Sequence, residues 1–304
     1  MEKKGELSSS QLVTIIILIV SFAVILIFFY MFNFKGEVTK ESCRNSVMLR
    51  GTALSKSVVQ LQCSTKDVCF SKTGSCDSAK KGTEIIRVVD KPALINELGN
   101  LMYDCWWEMG EGKVDYRASG IGNSETYCAV CNSVKFDSSV KSNAEMNSIS
   151  LADLYNSLQN RKVANKDINY LQYLYGFNNL QAVRDNIKAV SQNYGKQIDI
   201  DNQKLDLSSD LALVTALTKS GWAIPAAGAV GGGVAGYFVG GAIVAATGPI
   251  GWVVGGVTVA GAAIGGTIAY KSTENDVTYM PPAFYGYNSE DFKGLNCKEF
   301  STLA

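Results

Sequence analysis

The sequence predicts an α+β extracytoplasmic domain carried on transmembrane helices, one N-terminal anchor plus a C-terminal Gly-rich helical hairpin. Three observations lead to it. Two long tracts are apolar and uncharged, all eight cysteines lie outside those tracts, and the rest of the chain mixes helix-like with strand-like patterning. The order that follows is a signal-anchor helix over 1–35, a Cys-rich α+β ectodomain over 36–221, a transmembrane hairpin over 222–270 and an extracytoplasmic tail over 271–304.

The anchor rests on LVTIIILIVSFAVILIFFYMF, Leu12 to Phe32, with no charged residue between Glu6 and Lys35. A helix needs about 20 apolar residues to cross the hydrocarbon core. This one is apolar all round, as a helix surrounded by lipid must be. A cleaved secretory signal has a shorter apolar core followed by a small-residue cleavage site, whereas FNFKGEVTKE follows here.

The ectodomain opens with a strand in EIIRVV, residues 84 to 89. Asp90 is placed to cap a helix, Pro92 suits its first turn and Gly110 is a stop. Leu94, Leu98, Leu101, Met102 and Cys105 share one face of that helix, which ends at the adjacent pair Trp106-Trp107. TYCAVCNSVKF, 126 to 136, reads as a strand. Ser150 with Asp153 makes a capping-box pattern that starts a helix in SLADLYNSLQNRK. Two shorter helices follow in NKDINYLQYLYGF and NLQAVRDNIKAVSQNY, the first carrying Tyr170, Tyr173, Leu174 and Phe177 as a core-facing aromatic stripe. KQIDIDNQKLDL, 196 to 207, reads as a strand or hairpin, and SSDLALVTALTKSGW as a helix leading into the membrane. The acid pairs Glu108/Glu111 and Asp199/Asp201 read as solvated faces. The run ending at Asp206 lacks the Gly and terminal Glu of a calcium-binding loop.

Trp222 to Tyr270 carries no charge, and Lys219 and Lys271 bound it. Gly248-Pro249 marks a turn that leaves two halves, each long enough to span. Gly231, Gly233 and Gly236 spell a dinucleotide-binding pattern. That pattern needs a strand before it and an acid about 20 residues later, and neither is present. Spacing gives the better reading. Gly228, Gly232, Gly236 and Gly240 recur every fourth residue, and Gly251 with Gly255 and Gly261 with Gly265 repeat the interval. Small residues at this spacing let membrane helices approach closely. Each glycine weakens a helix by about 1 kcal/mol relative to Ala, so the halves are expected to persist only when packed, on each other or on copies in a homo-oligomer.

Sidedness comes from cysteine parity. Cys43, Cys63, Cys69, Cys76, Cys105, Cys128 and Cys131 lie between the anchor and the hairpin, and Cys297 lies after it. An even count suggests disulfides in an oxidising compartment. Cys297 can complete the set only if two crossings return the chain to the same side. The expected topology is a multi-pass protein of the cell membrane with a cytoplasmic N-terminus. The positive-inside count, Lys3 and Lys4 before the anchor against Lys35, Lys40 and Arg44 after it, does not favour this orientation. Cys69 with Cys76 makes a plausible short loop. Cys128 and Cys131, in CAVC, have the spacing of a redox dithiol, against the simpler reading that each has a distant structural partner.

The chain has 28 basic and 28 acidic residues, so no global field would draw it to nucleic acid, and it has no histidine. No catalytic set, cofactor or metal site is expected. The start, EKKGELSSSQLVTIIILIV, resembles the basic, Gly-terminated leader and apolar stem of archaeal type IV pilin-like proteins, which implies processing after Gly5. It departs from that family in lacking the stem Glu, with Glu6 coming at once. With ESCRNSVMLRG and CWWEMGEG it is similar to uncharacterised archaeal membrane-anchored proteins of like layout, a resemblance that implies no particular activity. The leading expectation is a non-enzymatic, disulfide-stabilised surface protein whose partners are the lipid bilayer and its own copies. The alternatives are an oligomeric channel or pore-forming protein and a membrane-tethered thiol–disulfide oxidoreductase using Cys128 and Cys131.

Overall fold

The structure is a computed structural model. It describes residues 9–31, 37–52, 59–77, 79–117, 126–194, 199–202, 204–219, 270–272, 277–287, 289, 292, 295 and 297–301. Two compact units divide the chain, Met1–Glu41 and Ser42–Ala304.

The first unit contains helix α1 (Ser9–Met31), which has no charged residue. Its described side chains run from Val13 to Val24 and all are exposed. Among the described residues no helix is long and apolar enough to cross a membrane.

The second unit takes helix α2 (Glu37–Thr52) from Ser42 onward. It continues through β1 (Lys66–Ser71), β2 (Glu84–Arg87), α3 (Lys91–Glu108), β3 (Thr126–Phe136), α4 (Ser138–Lys141) and α5 (Leu151–Gln159). Then come α6 (Tyr170–Tyr175), α7 (Leu180–Tyr194), β4 (Leu211–Lys219), β5 (Tyr270–Ser272), β6 (Val277–Gly286) and β7 (Cys297–Ser301). The strands form one mixed seven-stranded sheet in the order β2-β1-β3-β4-β6-β5, with β7 also paired to β3. Strands β1, β2, β3 and β7 are parallel to their neighbours within that group. β4 is antiparallel to both β3 and β6, and β5 is antiparallel to β6. The fold is therefore α+β, as the patterning implies.

Local chemistry explains the helices. The Asp90 carboxylate accepts the Ala93 N–H at 2.8 Å, capping α3 with Pro92 in its first turn. Ser150 and Asp153 form a reciprocal capping box on α5, and α6 stops at Gly176 in the left-handed conformation. Helix α3 packs on β3, β4 and β6 and against α5 and α6. Leu94, Leu98, Leu101, Met102 and Cys105 are buried on it, the face that the spacing predicts. Trp106 is buried, while Trp107 on the next face is partly exposed.

Two segments differ from expectation. LALVTALTK is strand β4, not a helix leading into the membrane. Every side chain from Leu211 to Leu217 is buried between β3 and β6. A strand covered on both faces is a continuous apolar run, and periodicity alone cannot separate such a run from a helix. Around Asp199 the chain makes turns, with a single bridge from Ser150 to Lys204. The Asp199 carboxylate accepts the N–H groups of Asp201 and Asn202, and this local bonding replaces a ladder. EIIRVV forms the expected strand over Glu84–Arg87, the edge strand β2, on which Ile85 is 42% exposed.

Disulfides pair all eight cysteines: Cys43–Cys63, Cys69–Cys76, Cys105–Cys131 and Cys128–Cys297. Their Cα separations, 4.2 to 6.5 Å, lie close to the range that bridged cysteines adopt. Cys105–Cys131 fixes α3 to β3. Cys128–Cys297 fixes β3 to β7 where those strands pair.

Candidate functional site

Two features stand out at one end of the sheet. The first is where the Gly-rich tract joins the fold. Lys219, the last residue of β4, is the register partner of Val277, the first residue of β6. The tract is thus an insertion between two adjacent antiparallel strands. It re-enters at β5, whose Tyr270 partners Tyr279 on the other side of β6. The glycines Gly228, Gly232, Gly236, Gly240, Gly251, Gly255, Gly261 and Gly265 lie outside the described residues.

The second feature is a charged and aromatic cluster built on the turn after α3. Gly110, Glu111 and Gly112 all have positive φ, at 79°, 58° and 69°. The left-handed conformation costs a residue with a Cβ roughly 1–2 kcal/mol, so Glu111 must be held there. Burial holds it, together with a ring of donors. Glu111 is 5% exposed. Tyr173 donates to its carboxylate at 2.8 Å and Lys113 donates to the second oxygen. Lys166 and Arg44 stand 3.6 and 3.7 Å away. Arg44 also donates to the Trp107 carbonyl and lies over the Trp107 ring at 4.5 Å. One carboxylate therefore joins α2, the turn after α3, the loop before α6, and α6 itself.

The aromatic stripe completes the cluster. Tyr103 on α3 stacks on Tyr170 at 4.9 Å and tilts against Tyr173 at 5.0 Å. Arg161 and Lys166 lie over the outer faces of Tyr170 and Tyr173. Leu174 is buried, and Tyr170, Tyr173 and Phe177 pack against the core.

This geometry corrects the solvated-face reading and the redox alternative for CAVC, which gives way to the simpler expectation of distant structural partners. Glu108 and Glu111 are not a solvated face. Both are buried, and Lys66 donates to Glu108 at 2.5 Å. Sequence spacing gave the acids but not their partners, which come from three other elements. The local signal was Gly-Glu-Gly after a helix stop, a pattern that permits left-handed turns. Asp199 and Asp201, by contrast, are exposed, with Asp201 paired to Arg184 at 2.6 Å. The second correction concerns CAVC. Cys128 and Cys131 are both buried and bonded to separate distant partners, so they do not form a redox dithiol. Among the described residues no group of His, Cys, Asp or Glu side chains could hold a metal ion.

Burial alone would raise the Glu111 pKa, but the hydrogen bonds from Lys113 and Tyr173 outweigh it and hold the carboxyl below its ordinary value. The same contact and burial push the Tyr173 hydroxyl well up. A depressed folded pKa stabilises the fold above the unfolded value, about 4.3 for Glu, and that contribution is lost as pH falls through the folded value. Glu111→Gln is expected to lower stability at pH 7 by about 2 kcal/mol, the order for breaking a partly buried charge network. Thermal unfolding of both proteins across pH checks this: the gap should narrow below about pH 4. A gap that stays constant into acid would show that the charge of Glu111 contributes nothing. Comparison with protein-family models, curated proteins and solved structures returns no match, so the functional reading rests on the residues themselves.

Proposed function

We infer that the ectodomain lies in an oxidising, extracytoplasmic compartment, which its four disulfides favour. We propose that the chain is a membrane-anchored, disulfide-stabilised surface protein, non-enzymatic, that self-associates through Gly-xxx-Gly packing of a transmembrane hairpin. The observation that carries the reading is the register pair Lys219–Val277. Because both flanks of the uncharged tract belong to one folded sheet, they lie on the same side of any membrane that the tract crosses. A membrane segment with that constraint crosses an even number of times, and 222–270 has the length for two crossings.

Helix α1 supports the anchor. Its side chains from Val13 to Val24 are apolar but for Thr14 and Ser21, and exposed. Ser21 satisfies its hydroxyl on the Ile17 carbonyl at 2.6 Å, as a hydroxyl facing lipid must. An exposed apolar surface of that length marks a membrane contact.

The test is replacement of Gly232 and Gly236 with Leu, read by cross-linking and by sedimentation in mild detergent. Filling the groove with two leucines should weaken self-association by about tenfold or more, roughly 1.4 kcal/mol. A wild-type protein that is monomeric at all concentrations, or variants with unchanged oligomer and stability, would contradict the packing claim.

A further inference from the structure

The end of the sheet from which the tract emerges also carries the cationic and aromatic cluster, and nothing in the self-association reading uses it. Its position follows from the register. Tyr279 on β6 pairs with Leu217 on β4, which pairs with Tyr127 near the start of β3. The turn after α3 reaches that level, because a Cβ on Gly112 would meet the Tyr279 ring at 3.7 Å and the Trp106 ring at 3.0 Å. Two residues of strand separate Tyr279 from Val277 and its partner Lys219, a rise of about 7 Å. The cluster therefore lies within about one Debye length, 8–10 Å, of the level at which the uncharged tract begins.

Arg44, Lys113 and Lys166 surround the carboxylate of Glu111, while Asp115 nearby is buried on Arg117 and Asp104 is half-buried. The Glu111 carboxylate is 7% exposed, whereas Lys113 and Lys166 are 54% and 42% exposed. The negative charge is thus turned inward and the positive charges face solvent. Trp107, partly exposed beneath Arg44, adds an aromatic ring of the type that seats at the headgroup level.

We propose that this end of the ectodomain docks on the anionic headgroups of the bilayer that holds the tract, with Lys113 and Lys166 as the phosphate-facing cations and Trp107 at the interface. The proposal rests on the membrane reading of 222–270. It gives the cluster a second role beyond joining α2, α3 and α6. The lysines bind Glu111 on one side and headgroup oxygens on the other. Each cation near an anionic surface adds attraction that decays within a Debye length. The end of the domain at which β4 finishes is thereby held against the bilayer.

Amine acylation of the full chain in nanodiscs, read by peptide mass spectrometry, tests it. Discs of neutral phosphatidylcholine are compared with discs containing phosphatidylglycerol. Lys113 and Lys166 should be acylated several-fold more slowly in the anionic discs. Lys72 and Lys141, which follow β1 and β3 at the opposite end of the sheet, should label equally in both. A second chain without residues 1–41 cannot be retained through α1 and reads the tract alone. Equal labelling of Lys113 and Lys166 in the two disc types, with that shortened chain retained on the discs, overturns the docking surface and leaves the membrane reading intact. A shortened chain that washes off both discs in aqueous buffer overturns the membrane reading of 222–270 and the docking surface together.

Discussion

Replacing both Cys128 and Cys297 with serine is expected to lower the unfolding free energy of the ectodomain by about 4–5 kcal/mol, more than the loss of any other bridge. The cysteines are 169 residues apart. Loop-closure entropy in the unfolded chain grows with the logarithm of that length, and a loop of this size is worth about 5 kcal/mol. Cys69 and Cys76 are separated by only 7 residues, for which the same relation gives about 2 kcal/mol. The long bridge also keeps β7 on β3 beyond the tract, so its loss should free the C-terminal strand first. Chemical unfolding of the two serine double variants, followed by tryptophan fluorescence, checks both the size and the order. Equal losses would mean that chain entropy does not set the contribution of these bridges.

On the proposed membrane reading, removing residues 1–41 and the uncharged tract should turn the ectodomain into a water-soluble protein without unfolding it. The expected result applies to residues 42–304 with 221–269 replaced by an eight-residue Gly/Ser linker. The linker must reach from Lys219 over β6 to Tyr270, a distance of about 12 Å given two strand spacings and two residues of offset. Eight residues reach at most about 28 Å. The described strands and the four disulfides are built from residues outside the deleted segment. Shortening the connection also lowers the closure cost by about 1–2 kcal/mol. Partition between membrane and soluble fractions, with circular dichroism of the soluble product, checks this. A variant that remains in the membrane fraction or is recovered only as aggregate would show that the tract is part of the folded core.

The sequence made much of this fold legible, and the exceptions have physical causes. Helix α3 could be read residue by residue, because capping by Asp90, the Pro92 start and the apolar face are all local. The same holds for the Ser150–Asp153 box and for strand β3. Strand β4 could not be read. Its identity is fixed by neighbours from residues 126–136 and 277–286, and its burial on both faces erases the alternation that would mark it. The candidate site failed in the same way. Glu111 looked like a surface acid because its partners, Arg44, Lys166 and Tyr173, are supplied by distant segments. Cysteine parity was the exception among long-range signals. It required Cys297 to return to the side of the other seven, and the bond to Cys128 places β7 in the same sheet.

The central claim is that the sheet closes around the uncharged tract, leaving both flanks on the oxidising side of the membrane. Mass-spectrometric disulfide mapping of the full chain, alkylated in intact membranes before solubilisation, tests it most directly. The account predicts a peptide pair joining Cys128 to Cys297, a second joining Cys105 to Cys131, and no alkylated cysteine. Cys297 recovered as a free, alkylated thiol, or Cys128 joined to Cys131, would contradict it.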